Sequence, residues 1–282
     1  MYMRDRLNGP FFAKHKTSIL LAAMAMNFLL TGVDVLMAHS QNDVFRWELI
    51  PLVYTPFAVL AILAQMTLRP NALVRRTFLT VMWSGVVVGV VGTYMHLAGN
   101  GTSSAETLHR LLVEGSPVAA PIAFAGIASF ALASDRFRGT VRRSKLLELV
   151  GLGFFGAVTA AFLDHARLSF IPSYSLIPLV TGTLALVSCI YVAHVRPSRR
   201  ETYICLSVLA LNVLVGVLGF AFHLLGDLEG APSVVWARIL YRAPLLGPLL
   251  FCNLALLGGL SLLPERGHTI EQDEPAALVA RT

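Results

Sequence analysis

Val86-Val87-Val88-Gly89-Val90-Val91-Gly92-Thr93-Tyr94-Met95-His96-Leu97 returns 127 residues later as Val213-Leu214-Val215-Gly216-Val217-Leu218-Gly219-Phe220-Ala221-Phe222-His223-Leu224. Both stretches are an apolar run with two glycines and a closing histidine. On a helix, Gly89, Gly92 and His96 fall at i, i+3 and i+7 and share one face, as do Gly216, Gly219 and His223. Each stretch ends a run long enough to cross a bilayer. The fold therefore reads as membrane helices laid down twice.

The bulk numbers agree with that reading. The chain has 282 residues, 56% hydrophobic and 13% charged, with a mean hydropathy of +0.69. A soluble domain carries about 25% charged residues. Apolar runs give eight spans, at 17–39, 48–68, 75–98, 117–134, 145–166, 174–195, 202–225 and 244–263. The expected fold class is an all-α polytopic membrane protein, with eight transmembrane helices as two tandem parallel four-helix repeats.

Lys and Arg divide seventeen to five between the two sides of this layout, with only Arg46, Arg110, Arg167, Arg238 and Arg242 on the poorer side. By the positive-inside rule both termini are cytoplasmic, in a bacterial-type inner membrane. The net charge of +6 is then a topology signal, and with no basic run interleaved with aromatics a nucleic-acid partner is not expected. Cys189, Cys205 and Cys252 all fall inside spans without Cys-x-x-Cys spacing, so thiol chemistry is not expected either.

The duplication extends beyond the opening stretch. Ile50-Pro51-Leu52-Val53 matches Ile177-Pro178-Leu179-Val180, Arg69-Pro70 matches Arg196-Pro197, and Pro117, Pro121 and Phe124 match Pro244, Pro248 and Phe251, all at offset 127. Helix 1 aligns with helix 5 at offset 126, pairing Phe28 with Phe154 and His39 with His165. The division that follows is a cytoplasmic lead at 1–16, a first repeat at 17–134, a basic linker at 135–145, a second repeat at 146–263 and a cytoplasmic tail at 264–282. With four spans per repeat, the copies share one orientation, which counts against an inverted-repeat transporter.

Four histidines carry the chemical argument. His39, His96, His165 and His223 close helices 1, 3, 5 and 7 on the outer side, one pair per repeat. Neutral imidazole is a common metal ligand and a usual axial ligand of haem iron. The glycines inward of His96 and His223 give a flat macrocycle room to approach, or they let helices pack closely. The cofactors expected are haem, or copper or iron. Around the histidines, Asp34 and Asp164 are candidates to orient an imidazole or relay a proton. Arg238 and Arg242, on a second interfacial segment at 232–241, are candidates to hold an anionic group such as a haem propionate. Asp43, Glu48, Glu106, Glu114, Asp227 and Glu229 read as solvated outer charges.

No catalytic constellation is readable. Gly-x-Ser-x-Gly and phosphate-cradling loops are absent. In layout only, eight helices in two tandem four-helix units with a histidine pair near the outer face of each, the chain resembles haem A synthase. That family's histidines sit on even-numbered helices and its outer-loop cysteine pair is missing here, so no residue is carried over. The expected function is haem or transition-metal binding near the outer face, in a redox or metal-handling role. A non-catalytic subunit of a larger membrane complex, with other membrane subunits as partners beside the lipid bilayer, is the alternative. A small-solute transporter using Asp34 and Asn27 ranks after it.

Overall fold

A computed structural model describes residues 10–40, 46–68, 71–99, 120–166, 168–229 and 246–263. Among them are eight α-helices and no strand. They are α1 (Pro10–His39), α2 (Leu49–Thr67), α3 (Ala72–Gly99), α4 (Ile122–Arg136), α5 (Gly139–Ala166), α6 (Ile177–His194), α7 (Arg199–Leu228) and α8 (Leu249–Leu262).

Local sequence explains several of the boundaries. Pro10 opens α1, where its missing N–H and fixed φ cost nothing. The Asn71 side chain accepts hydrogen bonds from the Leu73 and Val74 amides at 2.8 and 3.3 Å and so starts α3. A capping box, with Ser198 and Glu201 bonding each other's backbone amides, starts α7.

Six of the helices, α1, α2, α3, α5, α6 and α7, are long and apolar enough to cross a membrane. Their outer surfaces carry large apolar side chains such as Leu73, Trp83 and Val187, which suits contact with lipid. The chain is a helical, multi-pass membrane protein. Within the described residues α4 has 15 residues and α8 has 14. At 1.5 Å per residue each is about 21–23 Å long, short of a hydrocarbon core of about 30 Å.

Two boundaries differ from the sequence reading. The stretch read as a cytoplasmic lead is helical from Pro10, and Lys16 within it is buried. The stretch read as a basic linker is almost entirely helix, with only Phe137 and Arg138 between α4 and α5. Two of the cationic side chains in this stretch bond to nearby chain while the helix continues. Arg142 is buried with its Nε donating to the Phe137 carbonyl at 2.6 Å, and the Lys145 ammonium meets Glu148 at 2.9 Å.

The helices pack as two closed rings. α1 meets α2, α2 meets α3, α3 meets α4, and α4 returns to α1; α5 to α8 follow the same circuit. α4 meets α5 and α8 meets α1 across the seam between the rings. In the first ring Phe28, Tyr54 and Phe124 stack edge to face or tilted, with centroids 5.7 to 6.1 Å apart. In the second, Phe154 meets Phe251 at 6.2 Å. Lys16 of α1 bonds the Ser261 carbonyl near the end of α8, so the start of the first helix and the end of the last share one end of the bundle. The four histidines lie toward the other.

Candidate functional site

His39 is the last residue of α1, and His96 lies three residues before the end of α3. Their rings sit 6.3 Å apart, centroid to centroid, with planes at 78°. His39 Nδ1 donates to the Val35 carbonyl one turn back, at 3.0 Å. That bond leaves Nε2 as the nitrogen able to ligate. Glu48, at the start of α2, brings a carboxylate oxygen to 4.0 Å from it. The sequence reading made Glu48 a solvated charge; it is instead the acid beside the first histidine pair, with its side chain 30% exposed.

In the second ring His165, one residue from the end of α5, interacts electrostatically with both His223 of α7 and Asp164. All four imidazoles are half-buried. His39 and His96 are in ring contact, with Glu48 nearby, and His165 feels the charge of His223 and of Asp164. Asp34 is not part of either group. It lies on an exposed face of α1, five residues and therefore about 140° around the helix from His39, and no hydrogen bond or ion pair holds it among the described residues.

Asp227, expected as a solvated outer charge, is 1% exposed, and its Oδ2 has no hydrogen-bond partner among the described residues. It follows His223 by four residues, on the same helix face. No sequence signal marks that burial. Arg167, Arg238, Arg242 and the interfacial segment at 232–241 lie outside the described residues.

The glycine strips are occupied. A Cβ on Gly89 would sit 2.5 Å from the Ala125 backbone nitrogen, and one on Gly92 would sit 2.9 Å from Pro121. On Gly216 it would meet Cys252 Sγ at 2.5 Å, and on Gly219 it would meet Pro248 at 2.9 Å. The starts of α4 and α8 fill the room that a macrocycle would need beside these glycines. The close-packing reading is the one that holds.

Among the described residues no group of three or more His, Cys, Asp and Glu side chains is placed to hold a metal ion. What the arrangement can offer is two imidazoles at a time. That suits a metal of low coordination number, and not a closed tetrahedral centre.

A further cluster lies toward the other end of the bundle. Cys189 of α6 and Cys205 of α7 are both buried on packed neighbouring helices, and the thiol of each is the strongest local influence on the other. A spacing rule looks for Cys-x-x-Cys and misses a pair made by two helices. The readable signal was that both stand eight residues from Pro197, in the turn between those helices.

No protein-family model, curated protein or solved structure matches the chain.

Proposed function

We propose that this is an integral membrane protein of two tandem, parallel four-helix units that binds haem, or a transition metal such as copper or iron, through His39 with His96 and His165 with His223. Its role is redox or metal handling near the outer face of a bacterial-type inner membrane. The observation that carries the reading is the 6.3 Å pairing of His39 with His96, matched by the neighbouring His165 and His223. Two imidazoles from two helices at one depth, repeated in each half, are more than helix ends need.

Several contacts support the duplication. A Cβ on Gly92 would sit 2.9 Å from Pro121 and one on Gly219 would sit 2.9 Å from Pro248, each pair 127 residues from the other. A compensating swap occurs at the same offset. Tyr54 covers Gly85 and donates to the Val81 carbonyl at 2.9 Å. At the matching positions Thr181 faces Asn212, whose amide donates to the Thr181 and Val208 carbonyls at 2.9 Å. One unit puts the bulk on its second helix and the other puts it on the third.

The test is an absorption spectrum of the detergent-purified protein, oxidised and then reduced with dithionite, with metal analysis on the same sample. A Soret band that shifts on reduction and is lost in His96→Ala and His223→Ala supports haem. Copper or iron without a Soret band, lost in the same variants, supports a bare metal. A colourless, metal-free protein that takes up neither refutes this function and leaves the complex-subunit reading. Transport is the weaker alternative, because Asn27 is tied up in a side-chain pair with Asn253 and Asp34 lies on the outside of α1.

A further inference from the structure

The histidine pairs leave the opposite half of the bundle without an assigned chemistry, and there two buried thiols share one depth. Cys189 lies five residues before the end of α6 and Cys205 six residues after the start of α7. At 1.5 Å per residue both are about 8–9 Å inside the α6–α7 turn. The two antiparallel helices pack against each other and so bring them to one depth. Both are fully buried in the core, and the thiol of each is the strongest local influence on the other. The third cysteine is occupied elsewhere, with Cys252 donating to the Val213 carbonyl at 3.1 Å.

We propose that Cys189 and Cys205 form a two-coordinate site for a soft monovalent cation, with cuprous ion as the biological occupant. Sulfur donors select Cu(I) over harder metals, and two of them suffice for a filled-shell ion that accepts linear coordination. Charge decides between the alternatives. A net charge in a dry interior is costly, and a hard divalent metal would need further donors that the described residues do not bring together. Cu(I) needs neither. It takes the place of one thiol proton: one S–H bond breaks, two S–Cu bonds form, one proton leaves and no electron moves. A thiolate, a thiol and one monovalent cation sum to zero charge.

A carboxylate stands near the exit for that proton. Glu201, one turn before Cys205, accepts from the Tyr191 hydroxyl at 2.5 Å in the same α6–α7 turn. The site is independent of the histidine pairs. Cys205 and His223 are 18 residues apart on α7, about 27 Å at helical rise.

The full-length protein in detergent is loaded with Cu(I) under ascorbate and washed with imidazole to remove metal held by histidine. Bound copper is then counted and its neighbours read by X-ray absorption. The expected result is one copper per chain with two sulfur neighbours. It should fall to background in Cys189→Ala/Cys205→Ala and stay unchanged in Cys252→Ala. It should also persist when His39, His96, His165 and His223 are all replaced by Ala, which separates this site from the histidine reading. Copper retained in full by the double cysteine variant overturns the proposal. The wild type alone also decides it: no retained copper, or copper with only nitrogen and oxygen neighbours, overturns it without any variant having to fold.

Discussion

Lys16 on the first helix donates to the carbonyl of Ser261 on the last, 245 positions away, at 3.1 Å. The same ammonium donates to Leu263 at 2.5 Å and is almost wholly buried. The last carbonyls of a helix have no partner within it and lie at its negative end, so a cation completes both the hydrogen bonds and the charge. Lys16→Met keeps the stem and removes the donors. It should destabilise the protein by about 1.5–3 kcal/mol, the range for hydrogen bonds to charged groups. A denaturation midpoint in detergent equal to wild type would contradict the role given to this lysine.

The seam between the rings is held deeper in by an amide pair. Asn27 donates to Asn253 at 3.1 Å, and Asn253 donates back to Asn27. Replacing one partner strands the other in an apolar interior, at a cost of about 1–3 kcal/mol. Replacing both removes the polar groups together. Asn27→Leu and Asn253→Leu should each destabilise, and the double variant should cost less than the sum of the two. Simple additivity in the cycle would mean the two amides do not act as a pair.

The glycines divide into those that are required and those that are not. Gly216→Ala would press a methyl group onto Cys252 Sγ and the Pro248 carbonyl, the latter at 2.7 Å. Overpacking of this kind costs about 1–3 kcal/mol. Gly126 has nothing within 4 Å of the added atom, and Ala is the better helix former by up to about 1 kcal/mol. Thermal midpoints should therefore fall for Gly216→Ala and hold or rise for Gly126→Ala.

His39 should ligate through Nε2, because Nδ1 is committed to the Val35 carbonyl. Nitrogen-15 spectra of labelled protein should show a protonated Nδ1 both before and after loading with copper or haem, with only the Nε2 resonance moving. A loaded state in which Nδ1 moves and Nε2 does not would reject this assignment.

Membrane spans were legible because a bilayer asks for long apolar runs, and six helices met that demand. The helix extents near the basic ends were less legible. Charge signals an exit from the membrane in sequence, whereas Lys16 is buried against a carbonyl 245 residues away that a linear reading cannot place, and Arg142 is buried while bonding the Phe137 carbonyl five residues back. The nearness of His39 and His96 was legible because both close apolar runs on the same side of the layout. Glu48 and Asp227 were not, since an acid at a helix end looks the same in sequence whether solvent or protein covers it. The glycine strips had two readings, and only the positions of Pro121 and Pro248 could choose between them.

The amide of Asn27 also bonds the Ala23 carbonyl within its own helix, at 2.8 Å. During synthesis the chain emerges from its N-terminus, so α1 enters the bilayer long before α8 exists. Asn27 then faces lipid with one amide proton already satisfied, and Lys16 rests near the helix start where its stem can reach water. Both are groups that can wait. Ribosome-tethered chains stopped before Leu249 should accordingly hold α1 in the membrane while its seam contacts are still to be made.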